Sequence, residues 1–184
     1  KVGNEIIYSD AEGKFVFIGR ILDTETSKDI TQARLDEINK IKFSDLPLDA
    51  AIKSIKGNGK RVIAVFEDPN CGYCKRFRKT LADTKDVTVY TFMYPILSDD
   101  SRTKVKNVWC SADKSKTWDD WMLNGKTPAA AAESCNATAS TDKVVELGRK
   151  LKVTGTPTIF FTDGSRVPGA IDSKALESRL AAIK

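Results

Sequence analysis

The chain is 184 residues long, carries 30 Lys and Arg against 25 Asp and Glu for a formal charge of +5, and contains four cysteines and no histidine. The length suits one ordinary domain, or one with a small appendage, and a hydrophobic fraction of 41% is enough to bury a core. Without histidine, no Ser-His-Asp or Cys-His nucleophile and no imidazole-ligated metal site can form, so any chemistry falls to cysteine, carboxylates, lysine, tyrosine or a cofactor.

No signal-peptide pattern opens the chain, and a first residue of Lys instead of Met reads as a processed or trimmed start. Residues 5–8 and 14–22 read as two strands joined by the turn chemistry of Asp10-Ala11-Glu12-Gly13. A lone hairpin is marginal in water, so this pair needs a partner surface. Asp29 or Thr31 is placed to cap a helix through Ala33, Leu35, Ile38 and Ile41. Pro47 interrupts the pattern, and residues 48–55 are expected to form a short helix stopped by Gly57-Asn58-Gly59.

Residues 61–67 are almost wholly apolar, the pattern of a strand buried on both faces. Asp68-Pro69-Asn70 breaks that run, and a helix begins within Cys71-Gly72-Tyr73-Cys74 and continues through Phe77 and Leu81. Residues 87–94 are a second core strand, giving a β-α-β unit with a right-handed crossover. Ser98 can cap a helix carrying Val105, Val108, Trp109 and Ala112, and residues 116–123 add a further turn or two. Residues 125–140 read as loop, with a helical turn at 129–132; residues 142–152 are amphipathic. Residues 158–161 form a strand, Asp163-Gly164 a hairpin turn, Arg166-Val167 the start of its partner, and Ser173 caps a last helix.

The basic run Lys75, Arg76, Arg78, Lys79 reads as a solvated helix face in preference to a nucleic-acid patch. No apolar run approaches the ~18 residues of a membrane span. Neither nucleic-acid binding nor membrane insertion is therefore expected. Glu67, at the end of its strand, reads as solvated, with a perturbed carboxyl as the alternative.

Cys71 and Cys74 carry the strongest chemical signal. A metal site would need two further ligands close by, and haem attachment would need histidine at position 75, which is Lys. The redox reading fits the context. Cys71 opens a helix after a buried strand, where free N–H groups and the positive end of the dipole favour a thiolate, and Cys74 follows one turn later as the resolving thiol. Gly72 lets a substrate backbone approach, and Tyr73 offers an apolar ring and a phenol. Without histidine between the cysteines, the potential is expected between those of the strongest oxidants and the most reducing dithiols. Cys110 and Cys135 read as a structural disulfide whose loop closure contributes roughly 3 kcal/mol, with a second redox pair as the alternative. For Thr156-Pro157 an ordinary trans turn is the default; a cis bond beside the dithiol would leave the Thr156 backbone open to an extended substrate.

With these motifs in place, the chain resembles the DsbC/DsbG group of periplasmic disulfide isomerases, which have a thioredoxin fold. The segment from Phe66 to Lys75 is similar to that group's active-site stretch, Val108-Trp109-Cys110 with Cys135 to its second cysteine pair, Gly155-Thr156-Pro157 to its cis-proline loop, and Val167-Pro168-Gly169 to a later segment. The resemblance implies an α/β chain: a partial β dimerisation domain over 1–28, a linker helix over 29–42, and a thioredoxin-fold catalytic domain over 43–184 with a helical insertion at about 98–140. It implies a cis Pro157, a structural Cys110–Cys135 bridge, and no cofactor or metal. Cys71 would attack a wrong disulfide and be released by rearrangement or by Cys74. Substrates would be misfolded exported proteins in the periplasm of a Gram-negative bacterium, a DsbD-type membrane reductase would keep the dithiol reduced, and the family's V-shaped homodimer would hold substrates in its cleft. The hairpin of residues 5–22 resembles only the later part of that dimerisation domain. A DsbG-like reductase protecting single thiols and a non-enzymatic chaperone or binding module are the competing functions.

Overall fold

The computed structural model describes residues 5–183. The chain divides into two compact units, one ending at Ile41 and the other beginning at Lys42.

In the first unit β1 (Ile7–Ser9) pairs antiparallel with β2 (Val16–Ile18), and the predicted second strand ends there. Gly13, at φ +70°, closes the turn with its N–H on the Asp10 carbonyl at 3.1 Å. A second small ladder joins β3 (Leu22–Asp23) to β4 (Lys28–Asp29). Asp29 caps the start of α1 (Ile30–Ile38) by accepting the Gln32 N–H at 2.7 Å, and the helix ends at the C-cap Asn39, short of the expected Ile41. The cap is worth about 1 kcal/mol.

The second unit is built on a five-stranded sheet in the order β5-β7-β6-β8-β9. The strands are β5 (Ile52–Lys56), β6 (Arg61–Glu67), β7 (Val87–Met93), β8 (Thr158–Phe161) and β9 (Arg166–Pro168). β6 and β7 run parallel, Val65 opposite Thr91, on either side of α2 (Gly72–Asp83) in sequence; every other pairing is antiparallel. The β5 segment corrects the helix expected over 48–55. Only a helical turn at Leu48–Ala50 precedes it, and the chain then alternates, with Ile52 buried and Lys53 outward, while it pairs with Thr91 through Val87. Two isoleucines three apart fit a helix locally; the open edge of β7 decides for strand. Gly57-Asn58-Gly59 is accordingly a strand-to-strand turn. Gly57 has φ +56°, and a Cβ there would lie 2.2 Å from Asp86 Oδ1.

The two faces of the sheet follow from period-two alternation. Ile63 and Val65 of β6, Val87 and Val89 of β7, and Ile159 and Phe161 of β8 pack with Phe77 and Leu81 of α2 and with Leu176 and Leu180 of α6 (Ser173–Ala182). On the other face Phe66 stacks on Phe92 at 4.8 Å and meets Tyr94 and Phe160 edge-on. Asp172, not Ser173, caps α6. Between β7 and α5 (Thr138–Lys150) lie α3 (Asp99–Trp109), capped by Ser98, and α4 (Lys114–Asn124), capped by Asp113. The helical turn expected at 129–132 is absent: after Gly125 (φ +68°) that stretch is irregular. Among the described residues no helix is long and apolar enough to cross a membrane. The fold is thus α/β, a thioredoxin-type sheet and helices with a helical insertion.

Candidate active site

Four elements converge on the cysteine pair. β6 ends at Glu67, and Asp68-Pro69-Asn70 turns the chain so that Cys71 becomes the N-cap of α2. The Cys71 sulfur accepts the Cys74 N–H at 3.4 Å, and its thiol donates to the Thr156 carbonyl at 3.2 Å. Both cysteines are free thiols. The loop opposite carries a cis Thr156–Pro157 peptide, and the Pro157 carbonyl accepts the Gly169 N–H at 2.7 Å. Cys71 retains 6% of its surface and Cys74 none, so only the first sulfur can be approached from solvent. Gly72 and Tyr73, the latter 63% exposed, form the rim, and no atom stands within 4 Å of a Cβ built on Gly72.

The helical insertion supplies the floor. Cys71 and Cys74 share one apolar cluster with Ile52, Met93, Val105, Val108, Trp118 and Met122. Burial pushes the Cys74 thiol far up from its ordinary value, and the nearby Glu67 carboxylate pushes it the same way. Cys74 is therefore held as the thiol and must give up its proton to attack a mixed disulfide.

Glu67 corrects the solvated strand end expected for it. It is fully buried, with Oε2 accepting from Arg78 Nε at 2.8 Å and from Trp118 Nε1 at 3.1 Å, while Oε1 has no hydrogen-bond partner. Burial pushes this carboxyl up, against the pull of Arg78. Arg78 corrects the solvated basic face in the same way: it is 4% exposed and also contacts Asp119 at 3.2 Å and the Thr91 hydroxyl. The signal was present in the sequence. Positions 74, 77, 78 and 81 are spaced as one helical stripe, so Arg78 stands among buried residues and requires a buried anion. Of the remaining basic run, Lys75 lies over the Trp121 ring at 4.1 Å and Arg76 over Tyr73 at 5.1 Å.

Asp68, read from the sequence only as part of the break after the strand, is also buried. It accepts the N–H groups of Asn70, Ile96 and Leu97 and the Ser101 hydroxyl, all within 3.0 Å, and so joins the cysteine loop to the insertion. Asn70 strengthens the joint through Asp100 and Ser101. Cys110, closing α3, is disulfide-bonded to Cys135 across a separation of 25 residues, which ties the irregular 125–137 stretch to the insertion.

Comparison with known proteins agrees with this geometry. Residues 48–184 match the family model described as a thioredoxin-like domain. The chain is 48% identical, over 98% of its length and 63% of the relative's, to the "Probable thiol:disulfide interchange protein DsbC" of Bordetella pertussis. It is 31% identical, over 95% of its length and 72% of the relative's, to the Escherichia coli K12 "Thiol:disulfide interchange protein DsbC". The chain thus spans a little under two thirds of the length of the Bordetella relative. Among solved structures, a disulfide interchange protein from Neisseria gonorrhoeae superposes with a TM-score of 0.68 at 38% identity, over 74% of this chain and 96% of that one. A dithiol at a helix start, a cis-proline loop opposite and relatives of this kind lead to one assignment: the chain belongs to the thioredoxin-like family, and within it to the DsbC group.

Proposed function

We propose that this protein carries out thiol–disulfide interchange on exported proteins, isomerising or reducing non-native disulfides. The observation that carries the reading is the unequal pair: Cys71 reachable at a helix N-terminus against the Thr156 carbonyl, Cys74 sealed and protonated one turn inside. In the forward step the Cys71 sulfur, as thiolate, attacks one sulfur of a substrate disulfide. A mixed disulfide forms and the other substrate sulfur leaves as a thiolate. If that thiolate attacks another substrate disulfide, and the thiolate thereby freed attacks the substrate sulfur bonded to Cys71, a new pairing forms, Cys71 leaves as the thiolate it began as, and the substrate is isomerised. If Cys74 attacks instead, Cys71 and Cys74 become a disulfide, the substrate takes up two electrons, and the dithiol must be reduced again. A DsbD-type membrane reductase suits that last step, and the periplasm of a Gram-negative bacterium is the compartment in which such substrates occur. The Thr156 backbone stands beside the reactive sulfur, with its carbonyl 3.2 Å from Cys71 Sγ, which supports a role for it in pairing with an extended substrate.

The N-terminal unit supports a homodimer. All three β2 residues and Phe15 are more than half exposed, and a two-stranded ladder this short is marginal alone. That exposed surface supports reading residues 1–28, of which 1–4 lie outside the described residues, as part of a dimerisation domain, with 29–42 as its linker.

Refolding of a scrambled multi-disulfide protein tests the function. Catalytic amounts of the native chain should accelerate recovery of activity, and Cys71→Ala should abolish the acceleration. A Cys71→Ala variant that still accelerates recovery would replace interchange with a binding-only chaperone.

A further inference from the structure

Helix α4 turns two indoles onto the connection between β6 and α2. Trp118 and Trp121 are three apart and so lie on one face of the helix. The Trp118 N–H donates to Glu67 at the end of β6, and the Trp121 N–H donates to the Pro69 carbonyl at 2.7 Å. The Trp121 ring is itself held. The ammonium groups of Lys75 and Lys104 lie 4.1 and 4.7 Å from its centroid, and Lys104 pairs with Asp100, which also accepts the Asn70 side-chain amide at 2.7 Å.

Trp121 grips the centre of a turn. Asp68, Pro69, Asn70 and Cys71 form four residues closed by the Cys71 N–H on the Asp68 carbonyl at 3.1 Å. The middle peptide is held at both ends, its Pro69 carbonyl by the indole and its Asn70 N–H by Asp68 Oδ1 at 2.8 Å. Proline at the second position suits turn types I and II alike, and asparagine is one of the few residues that accept the positive φ of type II at the third. Among the described residues the non-glycine positions with positive φ are Ser27, Asp86 and Lys152, so Asn70 does not adopt it. The sequence therefore permits two turns, and the one not adopted would turn the Pro69 carbonyl away from Trp121.

We propose that Trp121 is a positioning residue for the reaction at Cys71: its indole N–H locks the turn in one form and so keeps the Cys71 sulfur in line with the Cys74 N–H. The proposal rests on the interchange reading and names a residue outside the cysteine motif on which its first step depends. An unlocked turn exchanges between two forms beside Cys71, and the bond from the Cys74 N–H to the sulfur is made for less of the time. A hydrogen bond of this kind favours the thiolate, so its partial loss lowers the fraction of reactive sulfur at a given pH.

Alkylation of the reduced chain by iodoacetamide reads the sulfur alone: the Cys71 thiolate displaces iodide and a thioether forms, while Cys74 has no exposed surface. The rate is followed against pH for the native chain and for Trp121→Phe, which keeps a ring beside the two lysines and removes the donor. The variant's profile should move to higher pH with its plateau unchanged, about threefold slower on the rising limb, the size expected of one hydrogen bond. Asn70→Ala removes the alternative turn, because alanine resists positive φ. Trp121→Phe/Asn70→Ala should therefore react as Asn70→Ala does alone. Asn70→Gly leaves α4 intact and eases the alternative turn, so its profile should lie at higher pH than that of Asn70→Ala, a comparison that holds even if Trp121→Phe does not fold. A Trp121→Phe profile that superimposes on the native one, even with a lowered Tm, would overturn the positioning role. An equal displacement by Trp121→Phe in the Asn70→Ala background, or coincident Asn70→Gly and Asn70→Ala profiles, would overturn it too. The native chain is also mixed with oxidised glutathione, where Cys71 attacks one sulfur, one glutathione leaves as thiolate, and Cys74 displaces the other to leave a Cys71–Cys74 disulfide. If the native chain is alkylated but leaves glutathione oxidised, the interchange reading fails, and with it the assignment of Trp121 to that reaction.

Discussion

Glu67 and Arg78 hold opposite charges inside the protein where the chemistry needs them least exposed. A buried pair costs desolvation and is strongly destabilising when broken, so Glu67→Ala should lose about 3–5 kcal/mol in a urea titration by stranding the guanidinium. Glu67→Gln keeps the shape and removes the charge. Since the carboxylate helps to raise the Cys74 thiol, this variant should resolve its mixed disulfide at lower pH than the native chain, measured as the pH profile of substrate release. The stability of the two proteins should also diverge with pH. The raised Glu67 carboxyl keeps its proton in the folded state above 4.5, where an unfolded carboxyl has lost it. Its contribution is therefore greatest at low pH and is lost as pH rises through the raised folded value, so the native chain should gain on Glu67→Gln as the solution is acidified. Cys71 and Cys74 were legible as a pair from spacing alone. The anion beneath them was not read, because strand-end carboxylates are usually solvated; the spacing of Cys74, Phe77, Arg78 and Leu81, which puts an arginine on the buried stripe of α2, was the signal that called for it.

At the scale of elements, two contacts hold the frame around the site. The Cys110–Cys135 bond closes a loop of 25 residues, for which chain entropy gives about 3 kcal/mol. Cys110→Ala/Cys135→Ala should lose about that much in equilibrium unfolding while keeping its reaction at Cys71; loss of the reaction with stability intact would make the bridge a second redox pair. α5 packs against the end of β7 at Gly148, where a Cβ would lie 2.5 Å from the Tyr94 ring, and the Tyr94 hydroxyl donates to the Val153 carbonyl ahead of the cis-proline loop. Gly148→Ala should cost about 1–3 kcal/mol by overpacking, read as a lowered Tm. The long apolar strands β6 and β7 and the capped helices α2 and α3 were readable from periodicity and caps. β5 was not: five residues bearing two isoleucines satisfy either period, and the choice belongs to its partner strand.

At the scale of the molecule, the resemblance read in the sequence implies a catalytic domain from residue 43, and the contacts of the described residues divide the chain between Ile41 and Lys42. How the two units work together is a matter of assembly. If β2 and Phe15 meet a second copy, sedimentation should give a dimer for the native chain and a monomer for Phe17→Asp; a native monomer at tens of micromolar would remove the homodimer from the account. The central claim, interchange through Cys71 with Cys74 resolving, is tested most directly by trapping the intermediate. Reduced Cys74→Ser mixed with a disulfide-bonded substrate should accumulate a one-to-one covalent adduct. Peptide mapping by mass spectrometry should place the bond at Cys71, and dithiothreitol should reverse it. An adduct through Cys110 or Cys135, or no adduct under conditions where the native chain reduces the same substrate, would contradict it.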